Sequence, residues 1–240
     1  MLVTGGSRGI GRGIVLAAAR AGANVVTCYR QEGEAVESLK AALKETGGDH
    51  HVLRADASDE ADVGRLIATC EGLPGGLDAV VNSAGAFEPT SYDKLDPTQW
   101  AATLQANLTA THLVTQRALP LLGEGSSVIN IGSTVAFIGM AGGAHYTAVK
   151  TALVGLTRSL ARELGPKGIR FNTVSPGRIE TEAMVALPAP AAEQQRKLFS
   201  SFTALGRLGT VDEVAQVVLF LISDLATYIT GQNIHVDGCV

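Results

Sequence analysis

The stretch that decides the fold opens the chain: residues 1–11 read Met-Leu-Val-Thr-Gly-Gly-Ser-Arg-Gly-Ile-Gly. Its first three residues suit a short buried strand, and residues 12–21 suit a helix. Gly5, Gly9 and Gly11 allow the backbone to turn tightly and approach a pyrophosphate, with the N-terminus of the helix facing the phosphates. A glycine cluster alone indicates little, but between a strand and a helix it predicts a dinucleotide-binding unit.

Strand and helix patterns alternate along the rest of the chain. Six further segments predict strands, at residues 24–27, 51–55, 77–81, 127–131, 169–174 and 233–236. Helical patterns lie between them, among others at residues 34–46, 59–70, 97–119 and 211–222. This alternation predicts an α/β fold of the Rossmann type: a doubly wound parallel sheet of seven strands with helices on both faces, forming a single domain over residues 1–240.

Composition excludes several classes of function. With 240 residues, 46% of them hydrophobic, the chain is long enough for one large core. A net charge of −4 and the absence of a basic run argue against nucleic acid as a partner. The apolar run at residues 217–222 is far below the ~20 residues that span a bilayer, so no membrane contact is expected.

The cysteines and histidines indicate a reducing compartment without a metal centre. Cys28, Cys70 and Cys239 are far apart and odd in number, which argues against a disulfide framework. No charged and then apolar leader precedes the first motif, so a cytoplasmic location is expected. The five histidines show no spacing typical of metal ligands, and we expect no metal.

The end of the second predicted strand bears on cofactor choice. Dinucleotide-binding folds place a carboxylate near this point to read a ribose 2′-hydroxyl, and a basic side chain to hold a 2′-phosphate. Here the strand ends Cys28-Tyr29-Arg30 without an acidic residue, and Arg8 lies in the glycine loop. Two guanidinium groups could clamp one phosphate. The alternative is that both arginines are solvated surface residues.

Two later segments also lie at carboxyl ends of predicted strands, where an open parallel sheet binds its ligands. Asp56 follows the third strand; it either faces the ligand crevice or, with Ser58, caps the next helix. The fourth strand runs into Asn-Ser-Ala-Gly at residues 82–85, whose small side chains permit a close approach of backbone to ligand.

The candidate catalytic pair is Tyr146 and Lys150. In a helix, residues four apart share a face and lie roughly 6 Å apart along the axis. A phenol with a pKa near ~10 exchanges protons poorly at neutral pH, and a nearby ammonium is expected to lower that pKa. The alternative is an ordinary amphipathic helix. Asn107 is a further candidate, because an asparagine within a helix is unfavourable unless it faces solvent or has a function.

One segment interrupts the alternation. Residues 182–206 contain Pro188 and Pro190 together with several apolar side chains, and they lie on the carboxyl side of the sheet. Such an insertion predicts a lid over the ligand crevice, the alternative being surface packing without a function.

Taken together, these motifs resemble the short-chain dehydrogenase/reductase family in its compact form, over essentially the whole chain. Residues 4–11 resemble its cofactor loop, residues 82–85 its Asn-Asn-Ala-Gly segment, and residues 176–181 its Pro-Gly motif near the nicotinamide. Ser83 and Cys239 depart from the family pattern, replacing an asparagine and a glycine. Within the family, the chain is similar to 3-oxoacyl-carrier-protein reductases and to glucose dehydrogenases.

The resemblance implies a set of site residues. The catalytic tetrad would be Asn107, Ser133, Tyr146 and Lys150. The cofactor would be NADPH or NADP⁺, with NADH as a weaker alternative, and its binding residues would be Gly5, Ser7, Arg8, Gly9, Ile10, Gly11, Arg30, Asp56, Ala57, Asn82, Ala84, Gly85, Tyr146, Lys150, Pro176, Gly177, Ile179 and Thr181.

Three activities follow from the resemblance as expectations. The first is an NADPH-dependent carbonyl reductase acting on a 3-oxoacyl thioester or another hydrophobic ketone, with Tyr146 as proton donor. The second is a dehydrogenase that oxidises a secondary alcohol or a sugar. The third is a dinucleotide-binding regulator without catalysis. The partner would be a small ketone or alcohol, and the resemblance further implies a homotetramer or a dimer.

Overall fold

The strands of the predicted alternation form a single parallel sheet. The computed structural model describes residues 1–73 and 75–240, and within them the strands are β1 (Leu2–Val3), β2 (Val26–Tyr29), β3 (His51–Arg54), β4 (Leu77–Asn82), β5 (Leu122–Ile131), β6 (Arg170–Pro176), β7 (Ile179–Glu180), β8 (Gly209–Thr210) and β9 (Asn233–Val236). Seven of them pair in the order β3-β2-β1-β4-β5-β6-β9, all parallel. The predicted doubly wound sheet is therefore confirmed.

The helices connect these strands and cover both faces of the sheet. They are α1 (Gly9–Arg20), α2 (Glu34–Lys44), α3 (Glu60–Glu71), α4 (Pro97–Leu104), α5 (Ala110–Ala118), α6 (Val135–Ile138), α7 (Ala144–Leu164), α8 (Glu182–Val185), α9 (Ala189–Ser200) and α10 (Val211–Ile222). One buried apolar layer packs α3, α5 and the end of α7 against the sheet, and the other packs α1, α2 and α10. Adjacent strand residues alternate between the layers: Leu2 belongs to the first and Val3 to the second.

The strand order places a ligand crevice at one point of the sheet. The connections run outward from β1 to β3 on one side and from β4 to β9 on the other, so the order reverses between β1 and β4. Ligands of open α/β sheets bind outside the carboxyl ends of the strands at such a switch point. The glycine loop after β1 and the segment at residues 82–85 after β4 meet there.

Local capping signals agree with the observed helix starts. Asp96 accepts hydrogen bonds from Thr98 N at 2.8 Å and Gln99 N at 2.9 Å, and α4 begins directly after it. Thr210 and Glu213 form a reciprocal capping box at the start of α10. At α3 the cap is Asp59, which accepts from Asp62 N at 2.9 Å, so the interpretation of Asp56 as that cap is wrong.

Some boundaries differ from the expected ones. The second strand begins at Val26 rather than residue 24, because Val26 is its first residue to pair with β1. The single helix expected over residues 97–119 is α4 and α5 with a π-helical segment, Gln105–Thr109, between them. Residues 182–206 hold α8 and α9, and the two short strands that flank them, β7 and β8, pair with each other in a separate parallel ladder.

No helix within residues 1–73 and 75–240 is long and apolar enough to cross a membrane.

Candidate active site

The glycine loop is held against the segment that follows β4. Gly5 has a φ of 69°, which favours glycine, and a Cβ at this position would lie 2.9 Å from Ala84 Cα. Thr4 Oγ1 accepts hydrogen bonds from Ser83 N at 3.1 Å and Ala84 N at 3.0 Å. A Cβ on Gly11 would lie 2.3 Å from the Gly5 carbonyl oxygen. These contacts form a narrow floor of backbone between β1 and β4, with no room for side chains.

Two clefts meet over this floor. The first lies beside the ends of β1, β2 and β3, and it is lined by Gly5, Ser7, Arg8, Cys28, Tyr29, Arg30, Gln31, Ala55, Asp56, Ala57, Ala84, Gly85, Ala86 and Ala106. Arg8 and Arg30, the two arginines predicted to clamp a phosphate, therefore border one cavity. Arg30 Nη1 lies 4.0 Å from Asp56 Oδ2, and both side chains are solvent-accessible. Asp56 thus faces the crevice, as one of its two interpretations predicts.

Tyr29 borders the same cleft. Its hydroxyl donates a 2.6 Å hydrogen bond to Glu32 Oε1, and this bond raises the pKa of the phenol. A carboxylate is therefore present near the end of β2, two residues beyond Arg30, although the strand itself ends without one.

The second cleft, of about 400 Å³, contains the whole candidate tetrad. It is lined by Gly5, Arg8, Ile10, Gly11, Ser83, Ala84, Gly85, Ala86, Phe87, Asn107, Ile131, Gly132, Ser133, Tyr146, Lys150, Pro176, Gly177 and Thr181. Three parts of the chain supply the four residues: the π-helical segment holds Asn107, the turn after β5 holds Ser133, and two successive turns of α7 hold Tyr146 and Lys150. The cleft shares Gly5, Arg8 and residues 84–86 with the first cleft, so the two are continuous.

Tyr146 and Lys150 are adjacent in α7, as their spacing predicts. Lys150 Nζ lies 5.4 Å from the centroid of the Tyr146 ring and donates a 2.9 Å hydrogen bond to the Ile131 carbonyl oxygen. Only 6% of Lys150 is exposed. The ammonium is thus held between α7 and the end of β5.

The pKa of Tyr146 departs from the expectation. Burial raises it to about 12 and lowers the pKa of Lys150 to about 8. The prediction that Lys150 lowers the Tyr146 pKa is therefore wrong for the chain by itself. The physical reason is desolvation, which disfavours the charged form of both groups and here outweighs their mutual attraction.

Asn107 is neither solvent-facing nor fully paired. Its side chain is 1% exposed, and Nδ2 donates to the Ala86 carbonyl oxygen at 2.8 Å and to the Thr103 carbonyl oxygen at 3.0 Å. Among the described residues, its Oδ1 has no hydrogen-bond donor. A Cβ on Gly85 would lie 2.5 Å from this oxygen and 3.9 Å from Lys150 Nζ, so the free acceptor and the ammonium flank the same glycine.

Asn107 lies in the π-helical segment between α4 and α5. Single π turns within helices are frequent at functional sites. Here the turn is centred on Asn107, whose side chain lines the second cleft.

Ser133 and Tyr146 also border a separate, largely apolar pocket, which we call the distal pocket. It is lined by Phe87, Ser133, Thr134, Val135, Ile138, Gly139, Met140, Tyr146, Gly177, Arg178, Phe202 and Val240. The Phe87 ring packs on Tyr146 with centroids 4.6 Å apart. The two hydroxyls therefore stand on the boundary between the cleft and the distal pocket.

The glycine loop is hydrogen-bonded to the segment at residues 182–206. Gly9 N donates a 2.9 Å hydrogen bond to Glu182 Oε2, at the start of α8. A carboxylate thus lies at the N-terminus of α1, where backbone amides and the helix dipole favour an anion.

Most predicted site residues line the two clefts, but three do not. Gly9 borders a neighbouring groove with Thr181 and Glu182, and Ile179 packs against the apolar layer that contains α1. The Asn82 amide is buried, donating to Thr115 Oγ1 and Asn130 Oδ1 at 2.9 Å each, so it supports residues 83–85 from below.

Sequence reasoning missed Thr4, Phe87 and Arg178 as site residues. Thr4 and Arg178 lie within motifs that were recognised in the sequence, so considering each residue of those motifs in turn would have identified both. Phe87 follows Asn-Ser-Ala-Gly closely, but nothing local indicates that its ring packs on Tyr146, 59 positions later.

The donor set fits a dinucleotide. The first cleft has two arginines at its exposed end, and the floor that both clefts share consists of backbone. The second cleft has a buried ammonium, two hydroxyls and an amide oxygen without a hydrogen-bond donor among the described residues. Within the described residues, no group of three or more histidine, cysteine, aspartate or glutamate side chains is placed to hold a metal ion.

Comparison with known proteins leads to the family that the sequence motifs resemble. Residues 5–240 match the family model described as enoyl-(acyl carrier protein) reductase. The chain is 37% identical over 243 residues to the 3-oxoacyl-[acyl-carrier-protein] reductase FabG of Aquifex aeolicus, covering 99% of this chain and 95% of that protein.

Solved structures agree with this result. A short-chain dehydrogenase of Burkholderia cenocepacia J2315 in complex with NADP is 36% identical with a TM-score of 0.91, covering 99% of this chain and 96% of the other. A short-chain dehydrogenase/reductase of Brucella melitensis, titled glucose/ribitol dehydrogenase, is 35% identical with a TM-score of 0.90, over 99% and 94% of the two chains. On its motifs, its sheet and these relatives, the chain belongs to the short-chain dehydrogenase/reductase family.

Proposed function

We propose that the protein is an NADPH-dependent carbonyl reductase that converts a hydrophobic ketone, such as a 3-oxoacyl thioester, into a secondary alcohol. The observation that carries the proposal is the position of Ser133 and Tyr146 on the boundary between the dinucleotide cleft and the distal pocket. A carbonyl group at that boundary would meet a hydride source on one side and two hydroxyl donors on the other.

The cofactor, when bound, supplies the hydride that reaches the carbonyl carbon. Tyr146 donates its hydroxyl proton to the carbonyl oxygen, so the C=O group becomes CH–OH and the phenol becomes a phenolate. Ser133 donates a hydrogen bond to the same oxygen and stabilises the negative charge that develops there. Its Oγ already accepts a bond from Val135 N at 3.3 Å, which orients the hydroxyl.

Lys150 and Asn107 restore the Tyr146 proton. The Lys150 ammonium lies beside the phenol and stabilises the phenolate once it forms. Asn107 Oδ1 offers an acceptor to a water molecule on the far side of Gly85. Such a water would connect Lys150 with the solvent, and the phenol would regain its proton along this path.

The cofactor preference rests on the two arginines. Arg8 and Arg30 line one end of the continuous cleft, where a 2′-phosphate would lie, and the Burkholderia cenocepacia relative was solved with NADP. We expect the double variant Arg8→Ala/Arg30→Ala to raise the KM for NADPH at least about tenfold, as for the loss of charge-assisted hydrogen bonds. The KM for NADH should change much less. An equal loss for both cofactors would eliminate the phosphate clamp, and Asp56 near Arg30 would then favour NADH.

Replacing the proton donor tests the activity itself. NADPH consumption should be followed with 3-oxoacyl thioesters, aryl ketones and sugars. Tyr146→Phe should lower kcat by about 10²-fold or more, the usual contribution of a general acid, while the Kd for NADPH remains within about twofold. Retention of substantial activity would remove Tyr146 from proton transfer.

Oxidation of an alcohol is the second candidate, favoured by the similarity to the Brucella melitensis structure titled glucose/ribitol dehydrogenase. Initial rates with NADPH plus ketone and with NAD⁺ plus alcohol separate the two directions. A chain that binds NADPH but turns over neither pair would instead be a regulator.

The proposal includes the setting of the reaction. Residues 182–206 serve as the lid over the cleft, the enzyme acts in the cytosol, and it assembles as a homotetramer or a dimer. The hydrogen bond between Gly9 and Glu182 supports the lid, and membership of the family supports the location and the assembly.

A further inference from the structure

The distal pocket contains one charged side chain that the proposed mechanism does not use. Among its lining residues, all within the described part of the chain, Arg178 alone carries a full charge in its side chain. The remaining walls are mostly carbon, from Phe87, Ile138, Met140 and Phe202. Ile138 and Phe202 expose more than half of their surface, so the pocket mouth is open and apolar. Arg178 itself is partly exposed, so its guanidinium group can be reached by a ligand that enters the pocket.

Arg178 is held in place by an aromatic ring. Its guanidinium carbon lies 4.4 Å from the centroid of the Phe199 ring in α9, an arrangement typical of a cation–π contact. Its backbone is fixed as well, because the Arg178 carbonyl oxygen accepts a 2.9 Å hydrogen bond from Gly209 N. Stacking on a ring leaves the edge of the guanidinium, with its N–H donors, free to bind a ligand.

The acidic residues near Arg178 in sequence, and Asp237, which lies beside Gly177 in the fold, have other partners. Glu180 pairs with Arg196 through Nε, and Glu182 accepts from Gly9 N. Asp237 accepts from Cys239 N at 2.9 Å and lies 3.6 Å from His235 Nδ1. Within residues 1–73 and 75–240, no carboxylate lies within 4.0 Å of the Arg178 guanidinium nitrogens, so its charge is not neutralised by a neighbour.

From these contacts we infer that Arg178 is a specificity-determining residue, which binds an anionic group, carboxylate or phosphate, that the ketone substrate carries beyond its reacting carbon. The inference rests on the proposed function and assigns it a narrower substrate class. The apolar walls hold the carbon chain, Ser133 and Tyr146 hold the carbonyl group, and the guanidinium holds the anion with two parallel N–H donors.

The test compares matched substrates that differ only in the anion. One pair is 4-oxo-4-phenylbutanoate and its methyl ester. The other is acetoacetyl-phosphopantetheine and acetoacetyl-pantetheine, the same thioester without the phosphate. The wild-type enzyme with NADPH should prefer the anionic member of at least one pair, and the pair that shows the preference identifies carboxylate or phosphate as the recognised group.

Arg178→Gln should lower the ratio of kcat/KM between anionic and neutral substrate at least about tenfold, mainly through KM, because the lost bond involves a charged group. Arg178→Lys should retain part of the preference. Arg158→Gln is the matched control: Arg158 is exposed on α7, far from the pocket, and its loss changes the net charge equally. Its ratio should equal that of the wild type.

Two results would overturn the inference. One is a wild-type enzyme without preference for either anion; the other is an Arg178→Gln variant that loses activity equally on both members of a pair, as a purely structural role on Phe199 predicts. If the wild type reduces none of these ketones, the proposed function fails instead, and binding decides about Arg178. With NADP⁺ present, calorimetry should then show that 4-phenylbutanoate binds more tightly than 4-phenylbutanamide, with a difference that Arg178→Gln abolishes; an unchanged difference contradicts the inference.

Discussion

Burial acts on Tyr146 and Lys150 in opposite directions. It keeps the phenol protonated, with a pKa of about 12, and brings the pKa of the ammonium down to about 8. A protonated phenol suits the role of proton donor that we propose for Tyr146. The titration near neutral pH belongs to the lysine.

The first prediction at this scale is a pH dependence set by Lys150. Its folded pKa of about 8 means that the ammonium is present below pH 8 and is lost as the pH rises through that value. We expect kcat/KM for NADPH, which reports groups of the free enzyme, to decline above pH 8. The measurement is a pH profile of initial rates between pH 6 and 10.

Tyr146→Phe separates the two groups. Because the phenol does not titrate in this range, the Kd for NADPH in the variant should still rise above pH 8 as in the wild type. If the variant loses this pH dependence, the titrating group is Tyr146 and the assignment to Lys150 is incorrect.

A second prediction concerns the space beside Asn107. A methyl group at residue 85 would lie 2.5 Å from Asn107 Oδ1, too close to be accommodated without movement of the amide. Gly85→Ala should therefore destabilise the protein by about 1–3 kcal/mol, typical of overpacking, and reduce kcat. Denaturant unfolding and initial rates measure the two effects.

The control is Gly64→Ala. Gly64 is exposed in α3, and a Cβ there meets nothing within 4 Å. Since alanine is the better helix former, this variant should gain about 0.5–1 kcal/mol and keep its activity. Two variants with similar stability would show that the space beside Asn107 adapts freely.

Single residues also show where sequence reasoning stops. Tyr146 and Lys150 became candidates through their helical spacing and Asn107 through its place within a helix, which are local properties, whereas Ser133 became a candidate only through the family resemblance. The direction in which the Tyr146 pKa shifts could not be predicted from the sequence, because it depends on burial by residues that are far apart in the chain. Arg178 lies within a recognised motif, but its stacking on Phe199 arises only in the folded chain.

At the scale of elements, α8 is hydrogen-bonded to the glycine loop. Glu182 Oε2 occupies the Gly9 amide, which also belongs to the loop that we propose binds pyrophosphate. Glu182→Gln removes the negative charge and keeps the shape of the side chain. We expect its Kd for NADPH to be about twofold to fivefold lower, the usual size of a charge effect at a helix terminus. Titration of NADPH fluorescence measures it.

Glu193→Gln serves as the matched control. Glu193 is exposed on α9 and lies 3.7 Å from Lys197, so its neutralisation changes the net charge without touching the loop. Equal affinities of the two variants for NADPH would show that Glu182 does not compete with the cofactor.

Elements differ in how far sequence predicts them. The helix starts predicted at Asp96 and at the Thr210–Glu213 capping box are confirmed, because a cap is formed by residues that are close in sequence. The π turn at Gln105–Thr109 was not predicted, since only the unexplained asparagine marked it. The β7–β8 ladder was missed because two-residue strands carry no periodicity and pair across the whole lid.

For the whole molecule, the alternation of strands and helices predicts a parallel sheet, and the strand order seen in the structure determines where the cleft lies. The assembly of copies does not follow in this way, because an interface is not distinguishable from other exposed surface by periodicity. Leu225 and Tyr228, beyond α10, are apolar and highly exposed. We predict that light scattering of the purified protein gives about four times or twice 24.8 kDa. A single 24.8 kDa species at micromolar concentration would contradict the assembly.

The β7–β8 ladder has an evolutionary consequence. It joins the residues immediately before and after the lid, so the two ends of the lid stay at the spacing of paired strands whatever lies between them. Because the cost of closing a loop grows only slowly with its length, lids of other lengths and compositions could be exchanged at this base. Tyr146 and Lys150 lie outside it, on α7. Exchange of the proposed lid would therefore change the substrate range and leave the two proposed catalytic residues in place.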